Sequence, residues 1–90
     1  MAGRRTKLEI IHDMLESVQE KQGRIKPTHL LYKSNLSHKK MTEYLDDLIQ
    51  KELVQKVDQG GYQYITLTDK GTTFLFEFKR MKEFTESFGL

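Results

Sequence analysis

The first indication of what this sequence can bind is a run of basic residues that contains no acidic residue. Residues 21–40 hold six Lys and Arg residues, two His residues and no Asp or Glu. The formal net charge of the chain is only +2, but residues 1–40 carry +5 and residues 41–90 carry −3. A surface that is rich in bases and free of acids attracts polyanions. The charge pattern therefore favours binding to a polyanion such as a nucleic acid.

Catalytic and metal chemistry have few residues to build on. The chain has no Cys, which excludes thiolate zinc ligands and Cys nucleophiles. His12 and Glu16 have the i, i+4 spacing that lets two side chains share a metal ion, but no third ligand is evident, and such pairs are common on helix surfaces. No glycine-rich phosphate loop, nucleophile elbow or clustered pair of acids occurs. We therefore expect no enzyme activity, no metal site and no cofactor.

The size and hydropathy of the chain bound its class. Its 90 residues are the length of one small domain. No apolar run approaches the roughly 20 residues of a membrane-spanning helix, and the polar start is not typical of a secretion signal. We expect a soluble protein that is cytoplasmic, nucleoid-associated and without membrane contact.

The first of the secondary-structure elements that position the basic residues is predicted to be an amphipathic helix. Apolar residues recur at helical spacing over about residues 6–22, and Thr6 with Glu9 forms the capping-box pattern that begins a helix. Gly23 is predicted to end it. The next residues are predicted to be extended, because a residue before proline avoids the helical region. A short strand therefore carries the first bases of the run.

Two further helices are predicted within and after the basic run. Pro27 suits the first turn of a helix that ends near residue 33. Asn35 tolerates the left-handed conformation in which helices end, and Ser37 is a good N-cap for a third helix over about residues 37–51. Two helices joined by so tight a turn form a helix-turn-helix.

A hairpin and a last helix complete the predicted order. Runs typical of β-strands at residues 53–57 and 62–67 flank a turn in which Gly60 and Gly61 can supply positive φ. The last helix is predicted from Thr68 to about Phe88, with Gly71 slightly weakening its first turn. The order helix, strand, helix, helix, strand, strand, helix indicates an α+β fold.

Three stretches of the sequence resemble archaeal winged-helix DNA-binding transcriptional regulators. They are LEIIHDML at residues 8–15, KPTHLLYKSNLS at residues 26–37 and YITLTDKG at residues 64–71. The likeness is greatest to the small ten-kilodalton chromatin-associated class, in which the C-terminal helix forms an antiparallel coiled-coil dimer. The resemblance implies a winged helix-turn-helix with a three-helix core, a two- to three-stranded wing sheet and an added C-terminal helix. It also implies double-stranded DNA as the partner and a homodimer as the active form.

In such a fold the third helix enters the major groove, and the wing lies along the backbone or the adjacent minor groove. Lys and Arg side chains and hydroxyls at helix starts would contact phosphates, which positions the protein without reading the sequence. His38, Thr42 and Glu43 are candidates to reach base edges. A flexible arm at the N-terminus would follow a groove beyond the domain. The predicted nucleic-acid-binding residues are Arg4, Arg5, Arg24, Thr28, His29, Lys33, Ser37, His38, Lys39, Lys40, Thr42, Glu43, Gly60, Gly61 and Tyr62.

Several of these residues have a second interpretation. A single Lys is often only a solvated side chain. The carboxylate of Glu43 repels phosphates unless it accepts from cytosine or faces solvent. Tyr62 also fits a half-buried position in the sheet, and Tyr32 is expected to pack rather than to contact DNA.

The five Phe residues all lie between residues 74 and 88, and one helix face cannot hold them. Leu75 and Phe76 lie off the a/d seam that we predict for a coiled coil over two heptads. We expect one apolar set to pack on the first helix and the other to meet a partner chain, although a terminal core helix of a monomer is the alternative. The predicted dimer interface is Phe74, Phe78, Met81, Thr85 and Phe88.

These features favour a homodimeric, sequence-specific transcriptional regulator. Residues 1–68 would form the DNA-binding domain, and residues 69–90 would form the dimerisation helix. The alternatives are a non-specific architectural chromatin protein and a winged helix used as a protein-interaction module, which the acidic second half of the chain permits.

Overall fold

The computed structural model describes residues 5–90, so Arg4 of the predicted arm lies outside the described residues. The strands form one antiparallel sheet in the order β1-β3-β2. The predicted α+β winged helix-turn-helix with an added C-terminal helix is confirmed, and its sheet has three strands. The elements are α1 (Lys7–Glu20), β1 (Arg24–Ile25), α2 (Pro27–Ser34), α3 (His38–Gln50), β2 (Val54–Gln59), β3 (Tyr62–Leu67) and α4 (Asp69–Ser87).

The predicted start of α1 is confirmed, and its end lies slightly earlier than expected. The Thr6 hydroxyl accepts from the Glu9 amide at 3.1 Å, and the Glu9 carboxylate accepts from the Thr6 amide at 2.8 Å. The helix ends at Glu20 because the chain turns left-handed at Gln22, with φ of 63°. The amide of Gly23 then donates at 3.0 Å to the carbonyl of Val18, which also accepts from the Lys21 amide at 3.1 Å.

The turn between α2 and α3 follows the residues that predict it. Asn35 has φ of 55° and ends α2 in the left-handed conformation. The Ser37 hydroxyl accepts from the Lys40 amide at 3.1 Å and caps α3. Leu36 packs against the core from within the turn, which fixes the angle between the two helices.

The core lies between α1, the two helices of the helix-turn-helix and the inner face of the sheet. Helix α3 buries Met41, Leu45 and Leu48, while Tyr44 and Ile49 are half-buried. Burial of such side chains stabilises by about 1.5–3 kcal/mol each. The buried apolar residues are Ile11, Met14, Leu15, Val18, Ile25, Leu30, Met41, Leu45, Leu48, Leu53, Val54, Ile65 and Leu75.

The wing is a hairpin with a two-residue turn. Gly60 and Gly61 have φ of 56° and 83°, which is the combination that a tight hairpin of this twist requires. Gln59 pairs with Tyr62 across the turn, so β2 runs to the turn itself and is longer than predicted.

Gly71 has a packing role that its local sequence does not reveal. A Cβ atom at this position would collide with the backbone carbonyl of Leu53. The Thr68 hydroxyl caps α4 by accepting from the Gly71 amide at 3.0 Å, and it donates to the Glu52 carbonyl at 2.7 Å. The start of α4 therefore lies directly against the segment that leads into β2. Within residues 5–90, no helix is both long enough and apolar enough to cross a membrane.

Candidate nucleic-acid interface

The exposed face of α3 carries basic residues toward its start and acidic residues toward its end. His38, Lys39 and Thr42 are exposed in the first part of the helix. Glu43 and Asp46 follow on the exposed surface toward the C-terminus. Because phosphates are attracted by the first group and repelled by the second, only the N-terminal half of α3 favours a polyanion.

One acid near the end of α3 is paired within the chain. The Lys51 ammonium lies 2.8 Å from the Asp47 carboxylate. Its hydrogen bond lowers the pKa of Asp47 below the ordinary value for an aspartate. Asp47 is therefore an anion at neutral pH, and it neutralises the charge of Lys51.

Two predicted hydroxyl donors lie at helix starts. The Ser37 oxygen accepts from the Lys40 amide, which leaves the hydroxyl proton free to donate to a ligand. Thr28 is exposed in the first turn of α2, where Lys26 is the N-cap and makes no side-chain hydrogen bond to the helix. The amides at the start of α2 therefore have no side-chain cap, unlike those of α1, α3 and α4.

Arg5 does not belong to a free arm, contrary to expectation. Its guanidinium donates to the Asp13 carboxylate at 2.8 Å and to the Ser34 carbonyl at 2.8 Å. Ser34 is the last residue of α2, where carbonyls lack partners within the helix. Arg5 thus ties α1 to the end of α2, and its charge is already matched.

Lys33 is also paired within the chain. Its ammonium lies 2.7 Å from the Glu20 carboxylate at the end of α1. Lys33 therefore differs from Lys39 and Lys40, for which no salt bridge is found within residues 5–90.

Beside the wing hairpin, two basic side chains lie over tyrosine rings. The Arg24 guanidinium carbon is 4.4 Å from the centroid of the Tyr64 ring, and the Lys26 ammonium is 4.4 Å from that of Tyr62. Arg24 also donates to the Gln59 side chain. The expected half-buried position of Tyr62 is wrong, since its side chain is 59% exposed.

Sequence reasoning missed Lys21, Lys26 and Tyr64 as members of this surface. A signal exists in the alternation of Tyr62 and Tyr64 along β3, but β1, which carries Arg24, is only two residues long. The expectation that Tyr32 packs within the protein is also wrong, because this residue is 77% exposed on α2.

His12 and Glu16, whose spacing was weighed above without a metal site being predicted, have a third neighbour, Asp13, that the sequence reasoning missed. Ligand atoms of His12, Asp13 and Glu16 all lie within 4.8 Å of one another. However, Nδ1 of His12 faces Asp13 at 3.2 Å, whereas Nε2 faces Glu16 at 3.8 Å. The imidazole thus has one carboxylate beside each nitrogen, and the three side chains form a polar cluster on α1.

The predicted dimer seam on α4 divides into two parts. Two residues of the predicted interface pack within the chain instead. Phe78 stacks on His12 of α1 with ring centroids 4.4 Å apart, beside the buried Leu75. Phe74 packs against the core beside Phe78. Farther along, Met81 is 52% exposed and Phe88 is 67% exposed. Only the second half of the seam therefore presents a largely exposed apolar surface.

The fold and this surface define a winged helix-turn-helix protein. The chain belongs to the winged helix-turn-helix family, whose sequence profile matches residues 4–86. Over 72 residues, or 80% of this chain, it is 36% identical to an uncharacterized protein of Methanocaldococcus jannaschii. The matched segment spans only 31% of that relative's length.

Solved structures of similar shape include two described as DNA-binding proteins. Sso10a-2 of Sulfolobus solfataricus superposes with a TM-score of 0.77 at 18% identity, over 93% of this chain and 85% of that one. A winged-helix DNA-binding protein from STIV superposes with a TM-score of 0.74 at 14% identity, over 89% of this chain and 92% of that one. At these identities the likeness establishes the shared fold.

Proposed function

We propose that this protein is a sequence-specific regulator of transcription that binds double-stranded DNA as a homodimer. The observation that carries the proposal is the exposed N-terminal half of α3. This helix is the second helix of a helix-turn-helix, and its exposed half bears both basic residues and side chains that can form hydrogen bonds. This is the part of a recognition helix that contacts base edges in the major groove. The DNA-binding proteins that share the fold support the same partner.

The side chains of α3 divide between two kinds of contact. Lys39 and Lys40 carry point charges suited to phosphates, which fix the position of the helix on the duplex. His38 and Thr42 are short and exposed, and each can exchange hydrogen bonds with a base edge. Glu43 lies where the basic half ends, and it can accept from cytosine or face solvent.

The homodimer is proposed to form through the far half of α4. Met81, Phe84 and Phe88 are all more than half exposed, and the ring centroids of Phe84 and Phe88 are 5.1 Å apart. Apolar side chains concentrated on one helix are typical of an interface. A second copy packed there removes this surface from water and joins two DNA-binding domains.

An architectural chromatin protein is the second candidate. The exposed Lys39 and Lys40 support it, because contacts of lysines with phosphates position a protein on DNA without reading the sequence. Such a protein binds duplexes through phosphates with little preference for sequence and with a steep dependence on salt. Neither function requires a cofactor or a catalytic group.

Binding of the protein to a random duplex pool and to selected duplexes across a salt series tests the proposal. A regulator retains much tighter binding to selected sequences near physiological salt. Equal affinity for every sequence would favour the architectural role. No duplex binding at that salt concentration would remove both functions and leave a protein-interaction module.

A further inference from the structure

An open cavity of about 600 Å³ lies between α1 and the second half of α4. The imidazole of His12 and the carboxylates of Asp13 and Glu16 line it from α1. Phe78 and Lys82 line it from α4. The three side chains of α1 are not part of the candidate nucleic-acid interface, and their chemistry is that of metal ligands.

One nitrogen of the imidazole is held by a carboxylate. Nδ1 of His12 lies 3.2 Å from Oδ1 of Asp13, which is within reach of a hydrogen bond. The other oxygen of Asp13 accepts from the Arg5 guanidinium at 2.8 Å. Arg5 thus fixes the carboxylate, and the carboxylate fixes the ring. When Nδ1 donates to Asp13, Nε2 keeps the lone pair with which an imidazole binds a metal ion.

The other nitrogen of the imidazole faces a second carboxylate across a gap. Nε2 of His12 is 3.8 Å from Oε2 of Glu16, which is too long for a hydrogen bond. Two ligand atoms that each lie about 2.0–2.2 Å from one zinc ion are roughly 3–4 Å apart. Because His12 and Glu16 are one helical turn apart, the backbone of α1 sets this spacing.

The packing of His12 distinguishes this pair from an ordinary pair on a helix surface. The imidazole stacks on Phe78 with ring centroids 4.4 Å apart, and its side chain is 21% exposed. His29 and His38 are exposed, and within residues 5–90 neither has a carboxylate in salt-bridge range. Only the His12 imidazole is therefore fixed in orientation before a ligand arrives.

We propose that Nε2 of His12 and the carboxylate of Glu16 bind a divalent transition-metal ion such as Zn²⁺, and that Asp13 is a positioning residue that orients the imidazole. A carboxylate that accepts from the second nitrogen of a ligating imidazole is a common outer-shell partner in metal sites. The sequence predicts no metal site because no third ligand is evident. In the proposed site the third residue, Asp13, acts on the imidazole and does not bind the ion.

The donor set and the shape of the cavity select the kind of ion. Imidazole is a good ligand for zinc and nickel, whereas magnesium prefers a shell of oxygen atoms. The cavity is open beside His12 and Glu16, so water has room to fill the remaining positions on the ion. The site does not depend on DNA binding, and its test is separate from that of the proposed function.

The charges that face the site set the strength of binding. Three carboxylates and two cations line the cavity. Of the two cations, Arg5 is already matched by Asp13, whereas no salt bridge is found for Lys82 among the described residues. Lys82 and Lys79 also line a neighbouring cavity beside His12 and Glu16. Lys82 is therefore the cation that most directly opposes an incoming metal ion.

The first experiment titrates the untagged full chain with Zn²⁺ alone in a calorimeter. Wild type is expected to bind one ion per chain, and Glu16→Gln to bind it at least about tenfold more weakly, because the exposed ligand loses its charge. Asp13→Asn is expected to weaken binding by about tenfold, as loss of an outer-shell partner does. His38→Ala, which removes an exposed imidazole outside the cluster, is the control and should bind like wild type.

A reverse change in charge provides a test that a purely structural cluster would not pass. Lys82→Ala is expected to tighten zinc binding by about twofold or more, because it removes a like charge near the ion. Lys70→Ala, at the exposed start of α4, is the matched control and should leave the affinity unchanged. Equal effects of the two substitutions would contradict an ion beside Lys82.

The second experiment identifies the ligating nitrogen and checks the fold of each variant. Nitrogen NMR of the imidazoles is expected to show the Nε2 resonance of His12 shifting on addition of Zn²⁺ while Nδ1 stays protonated. Zinc in large excess over its dissociation constant is expected to raise the midpoint of thermal unfolding of wild type by about 5 °C or more, but not that of Glu16→Gln.

The contrary outcomes are distinct for the ion and for the positioning residue. If wild type and Glu16→Gln bind zinc equally, or if His38→Ala weakens binding as much as Glu16→Gln, the metal site is overturned. If Asp13→Asn binds like wild type, or if Nδ1 responds to zinc in place of Nε2, Asp13 does not position the imidazole. Duplex binding is measured without added metal, so none of these results alters the test of the proposed function.

Discussion

The imidazole of His12 stacks on the ring of Phe78, with centroids 4.4 Å apart and ring planes 21° apart. His12 lies on α1 and Phe78 on α4, so this contact joins the C-terminal helix to the rest of the domain. Asp13 and Glu16 flank the two nitrogens of the imidazole and orient the ring. This aromatic pair extends the contact between α1 and α4 beyond the buried Leu75.

We expect His12→Ala and Phe78→Leu each to lower the free energy of unfolding by about 1 kcal/mol. Stacked aromatic pairs contribute about 0.5–1.5 kcal/mol beyond their burial. Urea unfolding of both single variants and of the double variant measures the coupling between them. Phe76→Leu, on an exposed part of α4 outside the proposed interface, is the control and should change stability by less than about 0.5 kcal/mol. Strictly additive effects of His12→Ala and Phe78→Leu would show that the stack contributes nothing.

Arg5→Ala is expected to destabilise the protein by about 1–2 kcal/mol, because the substitution removes hydrogen bonds from a charged donor to Asp13 and Ser34. The affinity of the folded variant for duplex DNA should stay within twofold of wild type. Arg80→Ala, which breaks an exposed pair with Glu77, is the matched control for stability. If the variant has normal stability but binds DNA more weakly, Arg5 contacts DNA and does not stabilise the fold.

Gly71→Ala is expected to destabilise the protein by about 2–3 kcal/mol. Ala normally stabilises a helix interior relative to Gly by about 0.5–1 kcal/mol, so the sign of the effect is diagnostic. The destabilisation arises because the added methyl group would displace the Leu53 backbone from α4. Chemical denaturation measures it, with Thr73→Ala on the exposed side of the same helix as control. Increased stability of Gly71→Ala would contradict the close approach.

Met81→Asp/Phe88→Asp is expected to give folded monomers, whereas the wild type sediments as a dimer. Both side chains are more than half exposed, so their replacement leaves the core intact and places charges in the proposed interface. Phe78→Asp is a weaker test, because it also removes the contact with His12. Lys79→Asp controls for the added negative charge on α4. A monomeric wild type at micromolar concentration would discard the dimer.

The elements of the fold were predictable because their signals are local. Thr6 with Glu9, Asn35, and the pair Gly60 and Gly61 each act on backbone within a few residues. Caps and positive-φ turns depend on the residue type itself. The boundaries of the helices therefore followed from the sequence to within about two residues.

The partners of the basic side chains were not predictable in the same way. Arg5 meets the Ser34 carbonyl 29 residues away, and Lys33 meets Glu20 13 residues away. Such contacts depend on how α1 and α2 pack, which no local pattern encodes. The sequence therefore indicated a basic surface, but it could not show which of its charges were already matched.

The lysines of the basic run provide a direct comparison. Lys39→Ala is expected to reduce the slope of log affinity against log salt by about 1 for all duplexes, because it removes a phosphate contact. Lys33→Ala should have a smaller effect, since Glu20 already matches its charge. Equal effects of the two substitutions would show that the pair with Glu20 opens on DNA.

Selection of bound duplexes from a random pool, with wild type and with His38→Ala/Thr42→Ala, tests recognition through α3. The account predicts that wild type enriches two half-sites of inverted symmetry about one helical turn apart, and that the variant loses the preferred bases while still retaining duplexes. A pool that stays random, or a motif that is unchanged in the variant, would contradict sequence-specific binding by α3.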